Sequence, residues 1–197
     1  MYRFEPALSA NKGLTMAAVA GGLEAASFNQ PPPFENIDLF AADLPLREAM
    51  SRAGVDHDSA GLAGFGKDFG SAETIQLGRL ANENPPRLRI VDAAGNRADL
   101  VDFHPAYHAL LRKSMAAGLH CPAFDLNEPS PGRISERAAR LYMATQIEAG
   151  HLCPPTMTSA SVAALAASPQ VQAAWTPHLL FRDYAGSRSG RSRSAWA

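Results

Sequence analysis

The amino-acid sequence predicts a mainly α-helical bundle with one small β-hairpin at about residues 88–103. Apolar side chains spaced three and four residues apart recur along most of the chain, which is the period of an amphipathic helix. Only one pair of short runs, separated by turn-forming residues, is typical of strands. Of the 197 residues, 46% are hydrophobic and 19% are charged, a composition that indicates a globular protein and excludes a disordered one.

Charge, cysteine content and hydropathy indicate which partners and which cellular compartment suit the chain. The formal net charge is −1, so no overall attraction draws the chain to nucleic acid or to an anionic membrane. The two cysteines, Cys121 and Cys153, lack the spacing of metal ligands and are typical of free thiols in a reducing compartment. No apolar run approaches the roughly 18 residues that span a bilayer. These features predict a cytoplasmic location and no membrane partner.

Three regions differ in pattern along the chain. Residues 1–27 show no periodicity, and Met1 and Met16 are both candidate translation starts. Residues 28–184 carry the helical pattern and form the predicted domain. Residues 185–197 are rich in arginine, serine and glycine, which predicts a disordered tail or the product of a frameshift.

The first half of the predicted domain contains an extended arm and three helices. Three consecutive prolines at 31–33 exclude a helix or a central strand and favour an arm that lies over other residues. The helices are recognised by a capping residue or by an apolar stripe. They are a helix capped by Asp43 that ends near Arg52, a helix with the stripe Leu62, Phe65 and Phe69, and a helix capped by Ser71 and ended by Pro85–Pro86.

The second half contains the hairpin and the most strongly predicted helix. Leu88–Val91 and Leu100–Phe103 flank the turn sequence Asp92–Asn96. The run Ile134–Ala149 consists almost entirely of helix formers and is apolar around most of its circumference, so we expect it at the centre of the core. The other helices are one opened by Pro105 and closed by Gly118, one over Ala160–Ala167 that Pro154–Pro155 and Thr156 separate from the long helix, and a short segment from Ser168 to Trp175.

One glycine-rich segment approaches a phosphate-binding loop without completing it. Gly61–Asp68 is one residue from the Walker A pattern, but Asp68 stands where that loop needs a hydroxyl for Mg²⁺. The preceding residues 56–59 are polar, whereas a phosphate loop follows a buried strand. The segment therefore favours a loose helix with close-packed glycines over a nucleotide site.

Imidazole and thiol side chains form two further candidate sites. His104 and His108 have the spacing that can hold a metal on a helix, but no third ligand follows, and His104 occupies a cap position before Pro105. Cap and packing roles are favoured, and no metal site is predicted. Cys153 lies near His151 in sequence, as a catalytic thiol and its base would, but a small buried cysteine is the favoured interpretation.

Glu148 is the remaining candidate acid. It lies at the end of the long predicted helix, and a helix C-terminus disfavours an anion. We therefore expect either partial exposure or an arginine partner, Arg112 or Arg140. Residues alone assign no catalytic or cofactor-binding role in this chain.

Several short motifs are weak signals singly and specific together, because they follow one another in a fixed order and spacing. They are Asn29–Pro33, Gly70–Asn82 with Pro85–Pro86, Phe103–His108, Gly118–His120, Ala138–Arg140, Gln146–Gly150, Cys153–Pro154 and Thr156–Thr158. Over about residues 28–184 the sequence resembles the N-terminal region of the AidB-like branch of acyl-CoA dehydrogenases, the flavoproteins of the adaptive response to alkylation.

The resemblance implies a fold and a chemistry for a longer protein. Members of this family are expected to have an N-terminal helical domain, a middle β-barrel and C-terminal helices, and to assemble as tetramers that bind FAD. In the wider family, flavin N5 accepts a hydride from the acyl-CoA β-carbon while a glutamate removes the α-proton. The AidB-like branch is associated with protection of DNA against alkylation, through a surface of its C-terminal helices.

The resemblance stops at Tyr184, where the family's flavin-contacting motif would be expected shortly afterwards. The sequence therefore predicts a chain truncated from a longer gene by a frameshift or a premature end. FAD is expected in the full-length family and not on this chain alone. The residues that the resemblance places nearest the chemistry are Thr156, Met157 and Thr158, which would line the acyl and flavin pocket without performing the reaction.

Two functions follow from these arguments. The first is the N-terminal domain of an AidB-like acyl-CoA dehydrogenase that is inactive by itself. The alternative is a helical module without catalysis that binds copies of itself or a full-length homologue, because helices shaped for a missing neighbour expose apolar surface. The proline arm at 31–33 and the long helix favour this alternative, and we expect marginal stability and self-association. A third interpretation is DNA binding through residues 185–197.

Overall fold

A computed structural model describes residues 29–56, 61–121, 123–125 and 131–184. The chain divides into two units, residues 1–34 and 35–197. The described part of the first unit, residues 29–34, forms neither helix nor strand and is exposed, as the three prolines predict. Whether this arm lies over other residues stays a prediction, and the tail at 185–197 falls outside the described residues.

The described residues of the second unit form seven α-helices, one 3-10 turn and one β-hairpin, which confirms the mainly α-helical fold. The elements are α1 (Leu44–Arg52), α2 (Leu62–Phe69), α3 (Ala72–Glu83), β1 (Arg87–Val91), β2 (Arg97–Asp102), α4 (Pro105–Ala116), α5 (Arg133–Ile147), the 3-10 turn (Gly150–Leu152), α6 (Cys153–Leu165) and α7 (Pro169–Leu179). No helix in the described ranges has the length and apolar character needed to cross a membrane.

Three helices begin at the side-chain caps that the sequence predicts. Asp43 Oδ1 accepts from the backbone N–H of Leu46 at 2.9 Å at the start of α1. Ser71 Oγ accepts from the backbone N–H of Thr74 at 3.3 Å at the start of α3. His104 caps α4 through Nδ1, which confirms its predicted cap role. Each bond satisfies a backbone donor that the first helical turn leaves free, and a typical cap contributes about 1 kcal/mol.

The main core lies between α1, α2 and α5. The predicted stripe on α2 is buried, and the rings of Phe65 and Phe69 stack with centroids 4.2 Å apart. From α5, Ala139, Met143 and Ala144 enter the same cluster. The expectation that α5 lies at the centre of the core is only partly met: Ala139, Met143 and Ala144 are buried, whereas Ile134 is 76% and Tyr142 51% exposed. A run of helix formers predicts the helix but not how wide its buried face is.

Close packing by glycine is confirmed at one of the two glycines inside α2. A Cβ at Gly66 would lie 2.7 Å from the backbone nitrogen of Phe40, so only glycine allows this approach. Gly64 is exposed, and a Cβ there would meet nothing within 4 Å. The segment is a helix, as predicted, and its residues 61–68 are not a phosphate loop.

Three predicted helix boundaries in the C-terminal half of the chain are wrong. Pro154 and Pro155 do not separate α5 from the next helix, because they form the buried first turn of α6, where a proline loses no hydrogen bond. The last helix passes Trp175 and continues to Leu179, with Pro177 inside its final turn. The long helix α5 also ends at Ile147, two residues early, because Glu148 has an extended backbone.

Candidate functional site

A cavity of about 290 Å³ lies where the end of α3, the start of α4 and the junction after α5 meet. Its apolar wall includes Pro85, Pro86 and Phe103. Its polar groups include His104, Tyr107 and Glu148. An apolar pocket with a few convergent polar groups is the usual form of a small-molecule site.

The aromatic wall of the cavity is a stacked pair. The rings of Phe103 and Tyr107 lie 4.4 Å apart at an angle of 21°. Burial, with smaller contributions from Tyr184 and Glu148, raises the pKa of Tyr107 to about 12. The phenol therefore keeps its proton at neutral pH and can act as a hydrogen-bond donor or acceptor.

The tautomer of His104 follows from its capping bond. Its Nδ1 accepts from the backbone N–H of Ala106 at 3.1 Å, so the ring proton lies on Nε2. The same ring is part of the cavity lining. His104 therefore serves both as a helix cap and as a cavity group.

Hydrogen-bond donors at the start of the 3-10 turn stabilise the ionised form of the Glu148 side chain. Its oxygens accept from the backbone N–H groups of Gly150 and His151 at 2.5 and 2.7 Å, and from His151 Nδ1 at 2.9 Å. Burial alone would raise the pKa of Glu148, but these donors outweigh it and the pKa is lowered. The carboxylate is therefore ionised at neutral pH.

The predicted environment of Glu148 is wrong. Its side chain is 8% exposed, and among the described residues its partner is His151, not Arg112 or Arg140. The sequence places Glu148 at the C-terminus of α5, where an anion is disfavoured. The extended backbone turns the side chain toward the N-terminus of the 3-10 turn, where backbone donors favour an anion.

A buried hydrogen-bonded chain runs from the cavity into the core. His151 Nε2 lies 2.8 Å from Ser114 Oγ, and both residues are fully buried. Burial lowers the pKa of His151 despite the opposing effect of Glu148, so the imidazole is neutral at pH 7. Its Nδ1–H donates to Glu148, and its Nε2 accepts from the Ser114 hydroxyl.

The hydrogen-bonded residues Ser114, His151 and Glu148 are connected in the same order as a catalytic triad. A substrate, however, cannot reach the serine. A nucleophilic serine needs its oxygen at the surface of a substrate pocket. Ser114 Oγ lies inside the core. The hydrogen bonds from Ser114 through His151 therefore hold Glu148 in place and fix the elements that carry these residues. Sequence reasoning missed this arrangement, although a serine between Leu110, Leu111 and Met115 on the buried face of α4 is a detectable signal.

The sequence-predicted site residues lie elsewhere. Thr156, Met157 and Thr158 belong to α6, with the first two exposed and Thr158 buried. None of these three residues lines the cavity of about 290 Å³ described above. The role of this segment against an acyl or flavin group stays a prediction.

The prediction that Cys153 is a small buried cysteine is wrong. Cys121 is buried, but Cys153 is exposed, with Sγ 3.7 Å from Met157 Sδ. Both nitrogens of His151 are bonded to Glu148 and Ser114, so His151 is not a base for Cys153.

The two histidines of the candidate metal pair have separate structural partners. His108 Nδ1 lies 2.8 Å from the Tyr184 hydroxyl and stacks on that ring, which confirms its packing role. His104 bonds its own helix. Within the described ranges, no three histidine, cysteine or acidic side chains are grouped closely enough to hold a metal.

Comparison with known proteins supplies the family. A model of the adaptive response protein AidB N-terminal domain matches residues 29–186. The chain belongs to this family. A curated relative, "Putative acyl-CoA dehydrogenase AidB" of Escherichia coli (strain K12), is 44% identical over 158 residues, which is 80% of this chain and 29% of the relative. The chain therefore spans less than a third of that AidB relative.

Solved structures give the same fold for this AidB domain. The apo-form of Bd2924 superposes with a TM-score of 0.69 at 22% identity, over 78% of this chain and 31% of that one. Caenorhabditis elegans ACDH-11, solved in complex with C11-CoA, superposes with a TM-score of 0.66 at 22% identity, over 79% of this chain and 28% of that one. At this identity the likeness establishes the fold alone.

Proposed function

We propose that this chain supplies the N-terminal helical domain of an AidB-like acyl-CoA dehydrogenase and does not catalyse dehydrogenation by itself. The match to E. coli AidB carries the proposal, because it is long, 44% identical and confined to 29% of that protein. In the longer protein, FAD would accept a hydride from an acyl thioester, cytoplasmic tetramers would form, and protection of DNA against alkylation would involve regions that this chain does not match.

Cavity sizes support the expectation that this chain does not hold FAD alone. Three cavities lined by described residues measure about 290, 310 and 260 Å³. Pockets that enclose drug-sized ligands occupy about 300–1,000 Å³, and a flavin dinucleotide is larger than such ligands. None of these three cavities would enclose a flavin dinucleotide, so we assign no step of the reaction to FAD here.

The contribution we propose for this chain is one wall of the acyl and flavin pocket. Thr156 and Met157 form an exposed patch on the first turns of α6, and Thr158 anchors the same turns in the core. ACDH-11 was solved with C11-CoA, so a fatty acyl thioester is the substrate class we propose for the complete protein. Met157 would contact the acyl chain, since a thioether adapts well to apolar ligands.

Complementation tests this proposal. The chain is purified alone with added FAD, and again after co-expression with E. coli AidB lacking its matching N-terminal region. We expect a colourless chain alone and a co-purifying complex with the visible absorbance of oxidised flavin. Met157→Lys should weaken the complex, whereas Leu44→Lys, an exposed apolar position on α1, should not. Stoichiometric flavin on the chain alone would refute the proposal.

The alternative function is self-association without catalysis, and the hairpin favours it. Leu88, Ile90 and Val101 are large, apolar and more than half exposed. No residue of β1 or β2 is buried. A hairpin with this much exposed apolar surface is marginal by itself in water, so it gains stability by contact with another molecule. Light scattering over a concentration series tests the alternative, and a mass that rises with concentration is expected.

A further inference from the structure

The cavity carries a negative charge that no lysine or arginine in its lining balances. Glu148 is the only carboxylate among its lining residues, and the lining contains no lysine or arginine. Within the described residues, Glu148 forms no ion pair with a lysine or arginine, and its histidine partner is neutral. An anionic site in a partly desolvated cavity attracts a cation more strongly than an exposed carboxylate does.

Acceptor atoms surround the cavity beside this charge. Asn84 Nδ2 donates one N–H to the carbonyl of Leu80 at 2.8 Å, and the Oδ1 atom of the same amide is an acceptor available to a ligand. The Tyr107 hydroxyl has oxygen lone pairs and lines the same cavity. With the Glu148 carboxylate, these atoms are three acceptors, the number that suits the three N–H donors of a primary ammonium group.

The aromatic wall favours the same kind of ligand. Phe103 and Tyr107 present a stacked pair of rings, whose faces carry negative charge density. A cation within about 6 Å of such a ring is attracted to it. Pro85 and Pro86 add an apolar surface for the hydrocarbon part of a ligand.

We propose that this cavity binds a small organic ammonium ion, with Glu148 as its counter-charge and the Phe103–Tyr107 pair as its aromatic wall. Asn84 and Tyr107 would accept the remaining N–H donors. The proposal does not depend on a role in acyl-CoA dehydrogenation, because every group involved lies within this chain.

Three ligands of similar shape and different charge test it. Benzylammonium, benzyl alcohol and benzoate are titrated into the full chain, and binding is followed through amide chemical shifts. We expect benzylammonium to bind about tenfold more tightly than benzyl alcohol, because charge-assisted hydrogen bonds exceed neutral ones, and benzoate not to bind. The largest shifts should fall at Phe103, Tyr107 and Gly150. Equal binding of the alcohol, preference for benzoate, or no binding of benzylammonium would overturn the proposal.

Variants locate the charge that is responsible. Glu148→Gln should remove the preference for benzylammonium over benzyl alcohol, whereas Glu73→Gln, which removes an exposed charge at the start of α3, should retain it. Phe103→Leu should weaken benzylammonium binding about threefold through loss of the cation–ring contact. Should Glu148→Gln not fold, Phe103→Leu and the three ligands on the unmodified chain decide the matter. Unchanged preference in a folded Glu148→Gln would place the ligand elsewhere and refute the proposal.

Discussion

At the scale of single residues, buried imidazoles govern how the fold responds to acid. His120 and His151 are almost completely buried. His120 Nε2 donates to the carbonyl of Phe181 at 3.1 Å, while its Nδ1 and Arg137 Nη2 have no described partner. Burial is the largest cause that lowers the pKa of both imidazoles, to about 4 for His120. In acid, these imidazoles bind a proton more readily when the chain is unfolded, because burial in the folded core disfavours their charged form.

Stability should therefore fall as the pH drops from about 6.5 to about 4. A histidine with a lowered folded pKa binds its proton more weakly in the folded than in the unfolded chain, so protons favour unfolding between the two pKa values. For His120 this window spans about 6.5 to about 4 and costs roughly 3 kcal/mol in full. Urea unfolding at several pH values measures the slope. His120→Gln, which keeps a donor and cannot titrate, should flatten the profile, and an unchanged slope would contradict this origin.

The contribution of Ser114 can be measured in the same way. Ser114→Ala removes the donor to His151 Nε2 and leaves a buried acceptor without a partner. We expect a loss of about 1–3 kcal/mol in the free energy of unfolding. Ser51→Ala, at an exposed position on α1, should change it by no more than about 0.5 kcal/mol. Equal effects of the two substitutions would show that the buried Ser114–His151 hydrogen bond contributes nothing to the free energy of unfolding.

At the scale of elements, one close approach fixes how α3 meets the end of α5. A Cβ at Gly78 would lie 2.6 Å from the backbone carbonyl oxygen of Ile147. Gly78 and Thr74 are the buried residues of α3, although its aliphatic residues look like the better core candidates. The small face lets α3 pack against the backbone that leads into Glu148.

Paired glycine substitutions separate this packing effect from helix propensity. Gly78→Ala should destabilise the fold by about 1–3 kcal/mol, because backbone must shift to admit the methyl group. Gly64→Ala, at an open helical position, should stabilise it by up to about 1 kcal/mol. Thermal unfolding of both variants checks the pair. A stabilising Gly78→Ala would mean that α3 can move away from α5 without cost.

Local signals predict these elements better than they predict the site. Caps such as Asp43 and Ser71 act within one turn, and the stripe on α2 repeats at helical spacing, so both are readable from the sequence. The first turn of α6 is misread because two prolines suit a helix start as well as a break. The site needs Tyr107 from α4 and Glu148 from the residues after α5. The extended backbone at Glu148 that brings them to one cavity is set by tertiary packing.

At the scale of the whole molecule, the hairpin is one apolar surface that the described fold leaves uncovered. Leu88 pairs with Val101 across the strands, so both side chains lie on one face. Leu88 is 66% exposed, and Ile90 two residues along is also exposed. The opposite face carries Arg89 and Asp102, which form an ion pair. Leu100 pairs with Arg89 on this second face and is 47% exposed, so apolar surface is not confined to one face. Exposed apolar surface of this kind is typical of an element that docks against another surface.

A hairpin variant with a charged pair in place of an apolar pair tests whether this face drives the self-association proposed as the alternative function. Leu88→Lys with Val101→Glu replaces an apolar cross-strand pair by an opposite-charge pair, which keeps the hairpin paired while removing two exposed apolar side chains from this face. We expect the unmodified chain to gain mass with concentration in light scattering and the double variant to stay monomeric. Ile134→Lys, at a comparably exposed position on α5, should associate as the unmodified chain does. Because the pair swap leaves the helical core untouched, a double variant that still associates would move the interface to another surface.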